Sequence, residues 1–167
     1  MGFEDEGILG EFYAGWEVYQ GRLVTALEPL DAGQLDMTAA PNLWSVRTLA
    51  CHVIATRAWW FHRWMGEGGT EFAAMADWDE DEALATRSAA EIVRGLEVTW
   101  SVIKSALERW SPADLKQEFQ RPTPNAAGER PSYRRQHIVW HLVEHDLHHG
   151  GEISYSLGMH GVAGLDL

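Results

Sequence analysis

The chain has 167 residues, which at roughly 150 residues per domain predicts one domain, residues 1–167, able to bury a core without covalent staples. Its 13 Lys and Arg against 25 Asp and Glu give a net charge of −12 with no basic block, which argues against nucleic acid and against a polybasic membrane anchor. The single cysteine, Cys51, excludes a disulfide framework, no apolar run approaches the roughly 20 residues of a spanning helix, and the start, MGFEDEGILG, is acidic where a secretory signal is basic; a soluble cytoplasmic protein is expected.

In chain order, Ile8, Phe12, Trp16, Tyr19 and Leu23 recur at helical steps and predict a first core-facing helix running toward Pro29. A second helix starts after Pro41, with Ser45 as its N-cap, and runs to Gly66; Leu49, His52, Thr56 and Trp59 share one face. From Gly66 to Arg87 the chain is acidic and irregular, and reads as a long mobile connection with one helical turn. Its DWDEDE run, Asp77 to Glu82, lacks the pattern of a calcium loop and reads as solvated surface.

The third helix opens on a capping box, Ser88 and Glu91, and carries Ile92, Leu96, Thr99, Ile103 and Leu107 until Ser111-Pro112. The next connection holds four of the six prolines, and Ser132 is expected to cap a fourth helix that closes at Gly158. Strand signals are nearly absent. Four amphipathic helices predict an all-α four-helix bundle in which two long connections replace tight turns.

Five of the eight histidines fall between His137 and His149. His137, His141, His145 and His149 are four residues apart, so the set drifts by about 40° per step and only neighbouring pairs can reach one point. Two imidazoles one turn apart, about 6 Å at Cβ, can share a metal ion. Both His141/His145 and His145/His149 satisfy that spacing. The other histidine on an inward stripe is His52, and a site of three imidazoles would leave a divalent ion an open position, as in catalytic rather than structural centres. His62, His137 and His160 read as hydrogen-bonded boundary residues.

The run WHLVEHDLHHGGEIS, with a helix-two histidine in LACHVIATRAWW after Pro41, Trp44 and Ser45, resembles the DinB-like superfamily of metal-dependent four-helix bundles over essentially the whole chain. That superfamily includes bacillithiol transferases and mycothiol-dependent maleylpyruvate isomerases. The resemblance implies a three-histidine divalent site and selects His52, His145 and His149 as ligands. It also implies a low-molecular-weight thiol as partner to a small-molecule electrophile, and a homodimer. His141, His148, Trp59 and Trp60 are candidate pocket-lining residues, with Trp64 beyond them.

Neutral imidazoles suit zinc or nickel, with iron as an alternative. Such an ion lowers the pKa of a bound thiol or water. Two other readings are open. Metal-dependent hydrolysis needs a general base, for which Glu152, seven residues after His145, is better placed than Glu144. A non-catalytic metal- or ligand-binding stress-response module needs none. Cys51, about 100° around the helix from His52, is expected to pack in the core. Trp16, Trp100 and Trp110 are expected there too, with satisfied indole N–H groups. The extra tryptophans of helices two and three are expected to supply an apolar dimer patch.

Overall fold

The computed structural model describes residues 8–166; the acidic segment 1–7 and residue 167, the ends of the expected domain, lie outside it. The first predicted stripe is broken at Tyr13, whose φ of −96° and ψ of 14° separate α1 (Ile8–Phe12) from α2 (Ala14–Leu27). The bend rotates the short α1, so Leu9 enters the core while Phe12 is 76% exposed. From Trp16 onward the expected stripe holds: Trp16, Tyr19 and Leu23 are buried.

After a four-residue turn of helix, α3 (Ala32–Leu35), the chain reaches α4 (Val46–Ala58), where the Ser45 side chain accepts from the Thr48 amide as the capping residue. The helix continues as a π-helical turn over Trp59–Trp64, a widened geometry that is frequent at functional sites. The acidic connection is not loose. It forms α5 (Thr70–Ala74) and two short 3₁₀ turns, and Phe72, Met75 and Ala76 are buried against the bundle. The capping box of Ser88 and Glu91 starts α6 (Ala89–Arg109), whose predicted stripe is buried throughout.

A short antiparallel hairpin, β1 (Glu118–Gln120) with β2 (Ser132–Arg134), precedes α7 (Arg135–Met159). Ser132 therefore pairs with Gln120 and does not cap the last helix. The Arg135 amide instead donates to the Gln117 carbonyl at 2.8 Å, and its guanidinium lies 4.3 Å over the Trp110 ring. Gly158 stays helical; the chain leaves α7 through Gly161 at φ +73°, a conformation glycine adopts without a Cβ clash.

The long helices close a ring: α2 packs on α6 and α7, and α4 packs on the same two. Leu23, Ile54, Leu96, Ile103, Leu142 and Ile153 fill the centre with no exposed surface. Each such side chain contributes about 1.5–3 kcal/mol relative to exposure. Tyr19 presses so closely on Gly150 that a Cβ there would lie within 2.1 Å of its hydroxyl oxygen, so α7 meets α2 at the glycine beside His149.

At the core of the bundle lies an ion pair. Arg57 of α4 and Asp146 of α7 are both fully buried, with Nη2 donating to Oδ2 at 2.6 Å and Nε to the same carboxylate at 3.0 and 3.2 Å. Trp16 of α2 donates to Asp146 Oδ2 at 2.6 Å, while Arg57 Nη1 reaches Gln20 of α2 at 2.8 Å and Thr99 of α6 at 3.3 Å. One satisfied polar cluster thus joins all four long helices. Trp100 and Trp110 are buried as expected, although the Trp100 indole N–H has no protein partner. Trp44 and Trp140 are half exposed, while Trp59 and Trp60 at the end of helix two are partly buried. No helix among the described residues is long and apolar enough to cross a membrane.

Candidate metal centre

His52 of α4 faces His145 and His149 of α7. His145 and His149 sit on successive turns, and the packing of α4 on α7 brings His52 between them, with ring centroids 4.8 Å from His145 and 5.0 Å from His149. One ligand atom from each of the three lies within 4.8 Å of the others. The Nε2 atoms of His52 and His145 are 3.1 Å apart. Two nitrogens bound to one ion at about 2.0–2.1 Å stand roughly 2.9–3.4 Å apart, so that pair already has a ligating separation.

Two of the imidazoles are held from behind. His52 Nδ1 is 2.6 Å from Asp79 Oδ2, and His149 Nδ1 is 2.6 Å from Glu152 Oε2. A carboxylate only accepts, so in both rings Nδ1 carries the proton and Nε2 keeps its lone pair. The short contact between His52 and His145 then requires His145 Nε2 to donate, which leaves the buried Nδ1 of His145 with no protein partner. The converging atoms are the Nε2 nitrogens, and a cation between them would take the place of the proton that His145 Nε2 otherwise shares with His52. The donor set fits a divalent ion, with the carboxylates orienting the ligands as in carboxylate–histidine–metal triads.

Burial favours the neutral form of His145, His149 and His141. Desolvation, then the neighbouring rings of His149 and His52, pull His145 from 6.5 to about 2. Burial also lowers His149 against the opposing pull of Glu152, and lowers His141 with help from His137. Neutral rings keep their lone pairs for ligation at ordinary pH.

The other sequence candidates separate clearly. Trp59 and Trp60 line a cavity of about 230 Å³ on the His52 side of the cluster. His141 packs edge-on to Trp60 at 5.0 Å and lies 6.0 Å from the His145 ring, a neighbour of the trio rather than a member. His148 exposes 67% of its side chain and lines neither cavity that borders the trio. Trp64 stacks on Trp60 at 4.6 Å and on Tyr133 at 5.5 Å, extending the aromatic wall away from the histidines. Glu152 is engaged by His149 Nδ1, which places it as an orienting partner.

His62 and His160 reach the carbonyls of Glu67 and Thr38, and His137 stacks on Tyr133 at 4.4 Å. Cys51 is fully buried, and burial pushes its thiol up to about 11. It is a packing residue.

The sequence reading missed three contributors. Asp79 belongs to the run read as solvated surface, yet the packed connection returns it to His52; Asp77 and Asp81 of the same run pair with Arg63 and Arg87. Trp44 lies edge-on to His52 at 4.9 Å and stacks near His149 at 6.2 Å. Asp146 anchors the ligand helix from the interior. For Asp79 the available signal was an acidic residue in a connection long enough to fold back; for Asp146 there was only its place between two ligand candidates.

The DinB family model matches residues 3–165. A crystal structure of a DinB-like protein from Bacillus cereus superposes with a TM-score of 0.69 at 19% identity, covering 93% of this chain and 95% of that one, a likeness of fold. No curated protein matches significantly in sequence.

Proposed function

The chain belongs to the DinB family, and on that premise we propose that it is a metal-dependent transferase in which His52, His145 and His149 hold a divalent ion, zinc or nickel ahead of iron, and a low-molecular-weight thiol is the nucleophile. The observation that carries the reading is the convergence of three imidazoles with carboxylates behind two of them. When bound, the ion supplies Lewis acidity that brings a thiol or water toward ionisation at neutral pH.

The chain's own residues do the rest. Asp79 and Glu152 fix the protonated edges of His52 and His149, which keeps Nε2 of each as the donor atom. Trp44 covers the two rings from the solvent side, and His149 is left only 12% exposed. The fully buried Arg57–Asp146 pair holds α7 against α4 at the turn that carries His145. No protein thiolate competes for the centre, since Cys51 is buried and protonated. Hydrolysis with Glu152 as base is the weaker reading, because that carboxylate is already spent on His149 Nδ1.

The test is turnover by metal-reconstituted protein given bacillithiol, mycothiol or glutathione with 1-chloro-2,4-dinitrobenzene. Consumption of one thiol above the rate of a His149→Ala control is expected. Absence of thiol-dependent turnover, alongside a metal-dependent rise in melting temperature, would replace the proposal with a non-catalytic metal-binding module.

A further inference from the structure

Two cavities of opposite character meet at the histidines. The one bordered by His52 is polar: beside Trp59 and Trp60 it presents Arg63, Asp77, Asp79 and Glu80. The one bordered by His149 has a volume of about 310 Å³ and is lined by Leu43, Trp44, Leu49 and Tyr155, with Glu152 at its margin. That volume lies at the lower end of small-molecule pockets, which run to roughly 300–1,000 Å³.

The second cavity has an unusual surface. Leu43, Trp44 and Tyr155 are 52%, 51% and 64% exposed, so three large apolar side chains from two separate segments converge on one hollow without covering one another. Scattered exposed apolar residues need no explanation, but a concave group of them beside a candidate reactive centre marks a ligand surface. Trp44 rests against the His52 and His149 rings, which ties this hollow to the trio. The only charged group on the lining is the Glu152 carboxylate, which disfavours an anion, and it is already bonded to His149 Nδ1. The Asn42 amide and the Ser156 hydroxyl add neutral polar groups.

We infer that this cavity is the subsite for an uncharged aromatic or alkyl portion of the molecule that reaches the trio. The inference rests on the three-histidine reading for what the trio does, while the cavity's preference rests on its own lining.

The test uses 2-naphthol as a neutral aromatic probe, titrated into the full-length protein by calorimetry with and without stoichiometric zinc. Saturable binding at one site per chain is expected, with the dissociation constant raised about tenfold by Trp44→Ala and about fivefold by Leu43→Ala or Tyr155→Ala, the scale of losing one aromatic or aliphatic contact surface. Trp140→Ala, at an exposed apolar position elsewhere on α7, leaves binding unchanged. These residues are half exposed or more, and circular dichroism of each variant confirms that the fold is retained.

No saturable binding, binding indifferent to the three cavity variants, or binding lost in Trp140→Ala would overturn the inference. A parallel zinc titration separates the two claims. Protein that binds zinc but not the probe loses only the cavity assignment. Protein that binds the probe at this cavity but no metal keeps the apolar subsite and loses the metal-centre reading.

Discussion

Asp146→Ala removes a carboxylate that accepts from Arg57 Nε and Nη2 and from the Trp16 indole, with both charged partners at zero exposure. The guanidinium left behind has no route to water. Its Nη1 keeps Gln20 and Thr99, so part of its hydrogen bonding survives. Breaking a buried pair by deleting one partner costs about 3–5 kcal/mol, and an unsatisfied buried indole N–H adds about 1 kcal/mol or more. Against a total stability of roughly 5–15 kcal/mol, the expected loss is a large fraction, equivalent to a fall in Tm of about 8–24 °C for a domain of this size. Urea unfolding followed by circular dichroism gives the value directly from the midpoint and slope.

The apolar replacement Arg57→Met with Asp146→Leu leaves no orphaned charge and is expected to be less damaging than either single change. A loss below about 1 kcal/mol for Asp146→Ala, the level of an exposed ion pair, would refute the assignment of this cluster as the tie among the four helices. So would a double variant as unstable as the two single losses added together.

Asp79→Asn keeps a side chain of the same shape but removes the charge that holds His52 Nδ1 protonated, and is expected to weaken metal affinity by roughly 10–100-fold with little change in unfolding midpoint, read by competition with a chromophoric chelator. Apo-protein stability should fall as pH drops below about 6.5. The unfolded chain takes up protons near 6.5 that folded His145 refuses until about 2, so stability is present above the unfolded value and lost toward the folded one, at up to about 1.4 kcal/mol per pH unit for this residue. Urea midpoints that stay flat from pH 7 to 5 would contradict this. Cys51 should resist Ellman's reagent in the native protein and react promptly in denaturant, because its thiol is both buried and held protonated; fast native labelling would show that the helix-two core is open.

How far the fold could be read from the chain varied with how local its determinants are. The α6 stripe and its capping box are written in consecutive residues, and both appear as expected. The spacing of His145 and His149 is local as well, and the facing of His52 follows once the apolar stripes are laid together. Tyr13 breaks the first helix because only tertiary packing decides that Leu9 and not Phe12 turns inward. The hairpin escaped notice since its strands have three residues each, too few for an alternating pattern to register. Asp79 and Asp146 are the instructive cases. Each is an acidic residue in a polar neighbourhood, and each is withdrawn from solvent by a partner far away in sequence, His52 for one and Arg57 with Trp16 for the other. Charge on a local segment forecasts exposure only when no distant counterpart reaches it.

The central claim is that His52, His145 and His149 bind one divalent ion. The direct measurement is elemental analysis by mass spectrometry of protein purified without a nickel column, together with zinc and nickel titrations of the wild type and of histidine variants. One ion per chain is expected, lost in His52→Ala, His145→Ala and His149→Ala and kept in His148→Ala, whose side chain lies in solvent. A wild-type chain that neither carries nor binds zinc, nickel or iron, or a His52→Ala variant that binds metal as tightly as the wild type, would contradict it.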